Sequence, residues 1–132
     1  MFKAKDVMTK VVITVWPQMP IYDAIRTLAN RNITGLPVVD ADLTLIGILS
    51  EKDVLKTLYA SEGSPEQTVK DFMSTEVISF DANDSLIDLC DCLTKKNIIR
   101  VPITEGGKLL GIVSRSDVIR AILRLKHQQA PN

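Results

Sequence analysis

Two short stretches of the chain carry side chains whose types and spacing suit chemistry. Gly47-Ile48-Leu49-Ser50-Glu51-Lys52-Asp53 and Gly111-Ile112-Val113-Ser114-Arg115-Ser116-Asp117 each set a hydroxyl three residues ahead of a carboxylate. If such a pair opens a helix, the free N–H groups and partial positive charge of that end favour an anion such as phosphate. The carboxylate can accept two hydrogen bonds from the vicinal hydroxyls of a ribose, as acidic residues do in dinucleotide folds. Ser and Asp at this spacing therefore suit a ribose phosphate. The same residues also read as a capping box, Ser followed three positions later by an acid ahead of an apolar helical run. A cap contributes about 1 kcal/mol, enough to account for the pair on stability alone. The two readings are compatible, since a cap can be released to a ligand.

Other side chains with chemical potential are scattered. Arg100 reads either as a bidentate phosphate clamp or as a solvated surface arginine. Trp16 stands where a strand meets a helix, suited to stacking on a base or to plain packing and dimer contact. Cys90 falls on an apolar helical stripe and reads as core, while Cys92 falls off it. A Cys-x-Cys pair without neighbouring Cys or His is a weak metal signal. His127, the only histidine, reads as a solvated or helix-end residue in a fraying tail rather than a catalytic base. With no nucleophile–base pair, metal cluster or phosphate-binding glycine loop, the expectation is a chain that is not an enzyme. Sixteen basic residues balance sixteen acidic ones, so composition points to neither nucleic acid nor membrane. No apolar run has transmembrane length and the N-terminus lacks a signal-peptide pattern. Cys90 and Cys92 lie in one segment and give no disulfide framework, so a reducing cytoplasm is the expected compartment.

The elements that must position the two Ser-Asp turns come from an internal repeat. At an offset of 65, Lys5-Asp6-Val7-Met8-Thr9 falls on Lys70-Asp71-Phe72-Met73-Ser74, and Asp23, Leu28, Asn32, Ile33 and Pro37 fall on identical residues. One residue drops out between Asp40-Ala41-Asp42 and Glu105-Gly106-Gly107, after which the two Ser-Asp turns align at an offset of 64. The predicted fold is α/β, two tandem pseudo-symmetric repeats, each strand–helix–strand–strand–helix. Val11–Val15 has strand character and ends at Trp16-Pro17. Ile21, Ala24, Ile25 and Leu28 form one helical stripe, repeated by Leu86, Leu89, Cys90 and Leu93. Leu36–Val39 and Leu45–Leu49 are short strands, and Glu105-Gly106-Gly107-Lys108 is a hairpin turn. A last helix carries Val54, Leu55, Leu58 and Tyr59, matched by Val118, Ile119, Ile122 and Leu123. Repeat one is assigned to 1–60, a linker to 61–67, repeat two to 68–127 and a tail to 128–132, with Ser64-Pro65-Glu66-Gln67 opening a short helix. One copy alone is marginal, so the pair is expected to pack with pseudo-two-fold symmetry.

Residues 3–126 resemble a cystathionine-β-synthase (CBS) domain pair, or Bateman module. The resemblance rests on the element order, on the Gly-apolar-apolar-Ser-x-x-Asp turns, and on Ile33-Thr34-Gly35-Leu36-Pro37 with Ile98-Ile99-Arg100-Val101-Pro102. It implies two clefts between the repeats that bind adenosine compounds. One would join Ser114, Ser116 and Asp117 to Ala24, Ile33, Thr34 and Leu36, and the other Ser50 and Asp53 to Leu89, Ile98, Ile99 and Val101. The second turn, with Arg115 and Ser116, is especially similar to the AMP-binding turn in the regulatory subunit of AMP-activated protein kinase. The first has Glu51 and Lys52 instead, which ranks the Asp117 cleft the tighter, although Arg100 by pseudo-symmetry could serve the Asp53 cleft.

The implied function is a stand-alone sensor of adenosine-containing ligands, AMP or ATP first and S-adenosylmethionine or a dinucleotide such as NAD next. No obligatory cofactor is expected; a homodimer and an effector protein are. The rival is a ligand-independent dimerisation module with vestigial clefts.

Overall fold

The computed structural model describes residues 2–10, 13–59, 67–96 and 98–129. The chain forms two compact units whose membership cuts across the sequence repeat: residues 13–77 make one, and 1–12 with 78–132 make the other. Each copy's Lys-Asp-x-Met-Thr/Ser segment therefore belongs to the unit built on the other copy's strands.

In the unit of residues 13–77, α2 (Ile21–Arg31) is followed by β1 (Gly35–Val39), β2 (Leu45–Ser50) and α3 (Glu51–Leu55). The helix α2 ends at Asn32, whose left-handed φ of 53° turns the chain so that the Ile33 N–H donates to the Leu28 carbonyl. β1 and β2 pair antiparallel with Gly35 opposite Ser50, so the hairpin's open end carries the Ser-Asp turn. Asp40 closes its other end, accepting from the Asp42 and Thr44 N–H groups. The core is Val15, Ile21, Ala24, Leu28, Leu36, Val38, Leu49 and Val69. Burial of each large aliphatic side chain among them stabilises by about 1.5–3 kcal/mol.

The other unit repeats the plan. The short helix α1 (Ala4–Val7) precedes β3 (Phe80–Asp81), α5 (Leu86–Lys95), β4 (Arg100–Glu105), β5 (Lys108–Ser114) and α6 (Arg115–Gln129). Its counterpart of α1 in the first unit is α4 (Val69–Phe72). β3 pairs parallel with β4, and β4 antiparallel with β5. Gly106 and Gly107, both at positive φ, form the expected two-residue hairpin turn. Ala4, Val7, Leu86, Leu89, Val101, Ile103, Val113, Val118 and Ala121 are among the residues that fill this core.

Several elements differ from expectation. The strand expected at Val11–Val15 is one bridge, Val15 parallel to Val38, with Val11 and Val12 outside the described residues. The following Trp16-Pro17 turns the chain away before a ladder can extend. The last helix of copy one stops at Leu55 and continues as a 3₁₀ turn, Lys56–Tyr59. Residues 60–66, which hold most of the expected linker 61–67 and the expected helix start at Ser64–Glu66, lie outside the described residues; a helix is described from Val69, with Asp71 accepting from the Thr68 N–H. The tail expected to fray from His127 is helical through Gln129. Cys92, not Cys90, is the buried cysteine, because it lies one turn from Leu89 on a face of α5 wider than the expected stripe.

Close approach explains the glycine that begins each Ser-Asp turn motif. Thr9 bridges Ile112, and Ser74 bridges Ile48, so each exchanged segment crosses a strand beside its glycine. A Cβ on Gly111 would lie 2.6 Å from the Thr9 carbonyl oxygen, and one on Gly47 2.9 Å from that of Ser74. Both obstacles are backbone, which cannot swing aside. Gly111→Ala is expected to lower unfolding free energy by about 1–3 kcal/mol, read by urea denaturation.

Cys90 packs partly against the core of its unit, and its thiol pKa is raised, first by burial and second by the neighbouring Asp91 charge. The thiolate, the reactive form, is therefore scarce at neutral pH. In native protein at pH 8, Cys90 should alkylate several-fold more slowly than free cysteine, and unfolding in urea should abolish the difference; peptide mapping after iodoacetamide treatment checks this.

Candidate functional site

The Ser-Asp turns fold as reciprocal caps. In α3 the Asp53 N–H donates to Ser50 Oγ at 3.3 Å, while Asp53 Oδ2 accepts from the Ser50 N–H and hydroxyl, each at 2.9 Å. In α6 the Asp117 N–H donates to Ser114 Oγ at 3.2 Å, and Asp117 Oδ2 accepts from the Ser114 N–H at 2.8 Å and hydroxyl at 3.0 Å. Asp53 and Asp117 are the buried charged residues of the described chain, 6% and 7% exposed. A buried carboxylate is tolerated because hydrogen bonds to its charged form replace the lost water.

The outer oxygens differ between the two turns. Asp117 Oδ1 accepts from the Thr9 hydroxyl at 3.2 Å and from an Arg120 guanidinium N–H at 2.6 Å. Asp53 Oδ1 has the ammonium of Lys56 at 3.7 Å, an ion pair beyond hydrogen-bond distance. Thr9, Arg120 and Lys56 were not among the residues expected at the site. The spacing held the signal for two of them, since a cation follows each Asp by three positions.

Within each unit the turn lies against the start of the preceding strand. The Glu51 N–H donates to the Thr34 carbonyl, and the Arg115 N–H to that of Ile99. The structure thus brings Ser50 and Asp53 beside Thr34 and Gly35, and Ser114 and Asp117 beside Ile99 and Arg100. Ile33, Thr34 and Ile98 are half-buried and Ile99 is exposed, so these edges are presented at the surface of their units. Ala24, Leu36, Leu89 and Val101 are fully buried side chains of the two cores.

The basic residues divide. Arg115 does not extend from the helix start as a phosphate clamp: its Nε donates to the Ile98 carbonyl and its Nη2 to the Leu93 carbonyl, joining α6 to the end of α5. Arg100 is paired opposite Ser114 in the β4–β5 ladder, at the position Gly35 holds opposite Ser50. Directly opposed residues share a sheet face, so the half-buried Arg100 side chain leaves on the side of Ser114. Ser116 is exposed on the first turn of α6.

Two surface hollows are lined by neither carboxylate. One of about 510 Å³ runs between α5 and α6, lined by Cys90, Leu93, Thr94, Arg115, Val118 and Ile119. The other, of about 420 Å³, holds Trp16 with Pro17, Val39 and Asp40, at the end of β1 remote from Gly35. Trp16 is therefore not beside the Asp53 turn. Among the described residues no group of three metal-ligating side chains gathers, and no helix is long and apolar enough to cross a membrane.

This arrangement has counterparts in known proteins. The family model described as CBS domain matches residues 4–60 and again 69–124. The CBS domain-containing protein YhcV of Bacillus subtilis is 32% identical over 130 residues, covering 98% of this chain and 91% of YhcV. The crystal structure of CBSX2 in complex with AMP superposes with a TM-score of 0.83 at 30% identity, covering 96% of this chain and 99% of that one. The CBS domain pair of MJ0100, crystallised with 5'-methylthioadenosine and S-adenosyl-L-methionine, gives 0.76 at 27% identity over 95% and 98% of the two chains. Other curated relatives are longer, and the chain spans 42% and 36% of two of them. Two family matches in tandem, each containing a buried Ser-bound aspartate, establish that the chain belongs to the CBS domain family as a CBS domain pair.

Proposed function

We propose that the chain is a non-catalytic regulatory module that binds an adenosine-containing ligand through Asp53 and Asp117. The observation that carries this reading is the pair of buried carboxylates, each fixed by serine at the same strand-to-helix turn. A fixed carboxylate suits the two donors of a ribose diol, and its rigidity lowers the ordering cost of binding. The AMP in CBSX2 and the methylthioadenosine and S-adenosylmethionine in MJ0100 support adenosine as the common element. Arg100, opposite Ser114, supplies a guanidinium for a phosphate, which favours AMP or ATP over S-adenosylmethionine or NAD. Ligand occupancy is read by an effector protein in the cytoplasm.

A second reading, association without ligand, draws on a different observation. Leu55, Leu58 and Tyr59 in one unit, and Ile119, Ile122 and Leu123 in the other, are exposed apolar residues at the last helices. Apolar faces of this kind mark interaction surfaces, and a homodimer that covers them is compatible with either reading.

Melting with ligand separates the two. A ligand binding only the folded protein, at 100 times its dissociation constant, stabilises by about 2.7 kcal/mol. For a chain of this length that raises the melting temperature by roughly 8–10 °C. AMP or ATP at millimolar concentration should produce such a rise, while unchanged curves with AMP, ATP, S-adenosylmethionine and NAD would favour association alone.

Sedimentation at micromolar concentration should give a species of twice the 14.6 kDa chain mass. Charged substitutions at Ile119 and Leu123 should convert it to monomer without loss of helix content. A monomer in the unsubstituted protein would remove the dimer from either reading.

A further inference from the structure

We propose that the Asp117 carboxylate is latched by Thr9 and Arg120, and that an uncharged adenosine nucleoside is therefore taken first by the open carboxylate of Asp53. The inference rests on the ribose-binding reading above and names what sets the order of the two turns. An ionised carboxylate offers about four acceptor positions. At Asp117 they are spent: two on Ser114 at Oδ2, one on Thr9 and one on Arg120 at Oδ1. At Asp53 the Oδ2 positions are spent on Ser50 in the same way, but Oδ1 makes no hydrogen bond among the described residues. Its nearest cation, Lys56, stands off at 3.7 Å.

The difference comes from two substitutions between the repeats. Arg120 replaces Lys56, and the planar guanidinium reaches a carboxylate with a directed N–H where an ammonium acts as a point charge. Thr9 replaces Ser74, whose backbone bridges Ile48 as that of Thr9 bridges Ile112, but whose hydroxyl makes no hydrogen bond to Asp53 among the described residues. A ribose diol approaching Asp117 must therefore displace two existing donors, whereas at Asp53 it meets an available oxygen.

This order reverses the one read from the turn sequences, which credited Arg115 to the second site. That guanidinium is committed to the Ile98 and Leu93 carbonyls. Adenosine carries no charge, so Glu51 on the first turn does not repel it. Arg120 is 61% exposed, and an ion pair of that kind changes an equilibrium constant by up to about fivefold. The latch is weak enough to open and strong enough to set an order.

Isothermal titration with adenosine tests it, using one carboxylate at a time. Asp53→Ala leaves the Asp117 turn to be read, and Asp117→Ala leaves the Asp53 turn; Asp→Asn replaces either change if circular dichroism shows that the alanine variant does not fold. The Asp117→Ala protein should bind adenosine more tightly than the Asp53→Ala protein. Adding Arg120→Gln to Asp53→Ala should tighten adenosine binding about two- to fivefold, and Arg120→Lys should give an intermediate gain. The same Arg120 changes on the Asp117→Ala background should leave affinity unchanged. Binding that stays constant or weakens on removing Arg120 from the Asp53→Ala protein overturns the latch while leaving ribose binding intact, as does tighter binding in the Asp53→Ala protein than in its counterpart. Absence of adenosine and AMP binding by the unsubstituted protein at millimolar concentration overturns the ribose reading, and the latch with it.

Discussion

A carboxylate buried at a strand-to-helix turn must be hydrogen-bonded from several directions, and much of each unit is arranged around that demand. Ser50 or Ser114 supplies two donors from the last residue of a strand, which ties the end of the hairpin to the start of the following helix. The strand partner is then in register opposite that serine, Gly35 in one unit and Arg100 in the other. The helix start in turn donates to the carbonyl of Thr34 or Ile99, closing the chain entry to the same strand. Loss of the aspartate would remove a cap and leave these donors without an acceptor, so the group that suits a ribose is also structural.

The exchanged segments extend the same constraint to the chain termini of each repeat. The segment Met8-Thr9 crosses β5 within contact of Gly111, and Met73-Ser74 crosses β2 at Gly47. Only a residue without a side chain admits a backbone oxygen at that distance, which is why Gly begins both turn motifs. In the second unit the crossing also carries Thr9 to Asp117, so a segment more than a hundred residues away in sequence reaches the carboxylate. Packing of the exchanged helix buries Ala4 and Val7 in one core and Val69 in the other.

Departure from two-fold likeness is concentrated where the units would differ in recognition. Arg100 against Gly35 and Arg115 against Glu51 make the second unit the more basic around its turn, while Arg120 against Lys56 keeps the charge and changes its geometry. Two of these three arginines hold protein groups, Arg115 the end of α5 and Arg120 the carboxylate. Charge near a site is thus a poor guide to charge offered to a ligand, because a guanidinium has five donors and satisfies near carbonyls first.

The sequence by itself determined the repeat, the element order and both Ser-Asp caps. Each of these is local: a helical stripe such as Ile21, Ala24 and Leu28, a Gly-Gly turn at 106–107, or a hydroxyl three residues before an acid. Strand length was less legible, since Val15 has a strand-forming neighbourhood but pairs in a single bridge, with Val38, among the described residues. So was the buried cysteine, since the width of the face that α5 packs is set by its neighbours and not by its own spacing. Tertiary structure alone decided which copy each Lys-Asp-x-Met segment joins, what Arg115 bonds to, and that Asp117 receives the Thr9 hydroxyl while Asp53 receives no such bond from Ser74 among the described residues. The physical reason is that a cap is a contact over three residues along one chain segment. Its outer oxygen can meet a cation one turn along the same helix, as Arg120 does at Asp117, but a donor such as Thr9 arrives only when long-range packing brings it within 3 Å or so.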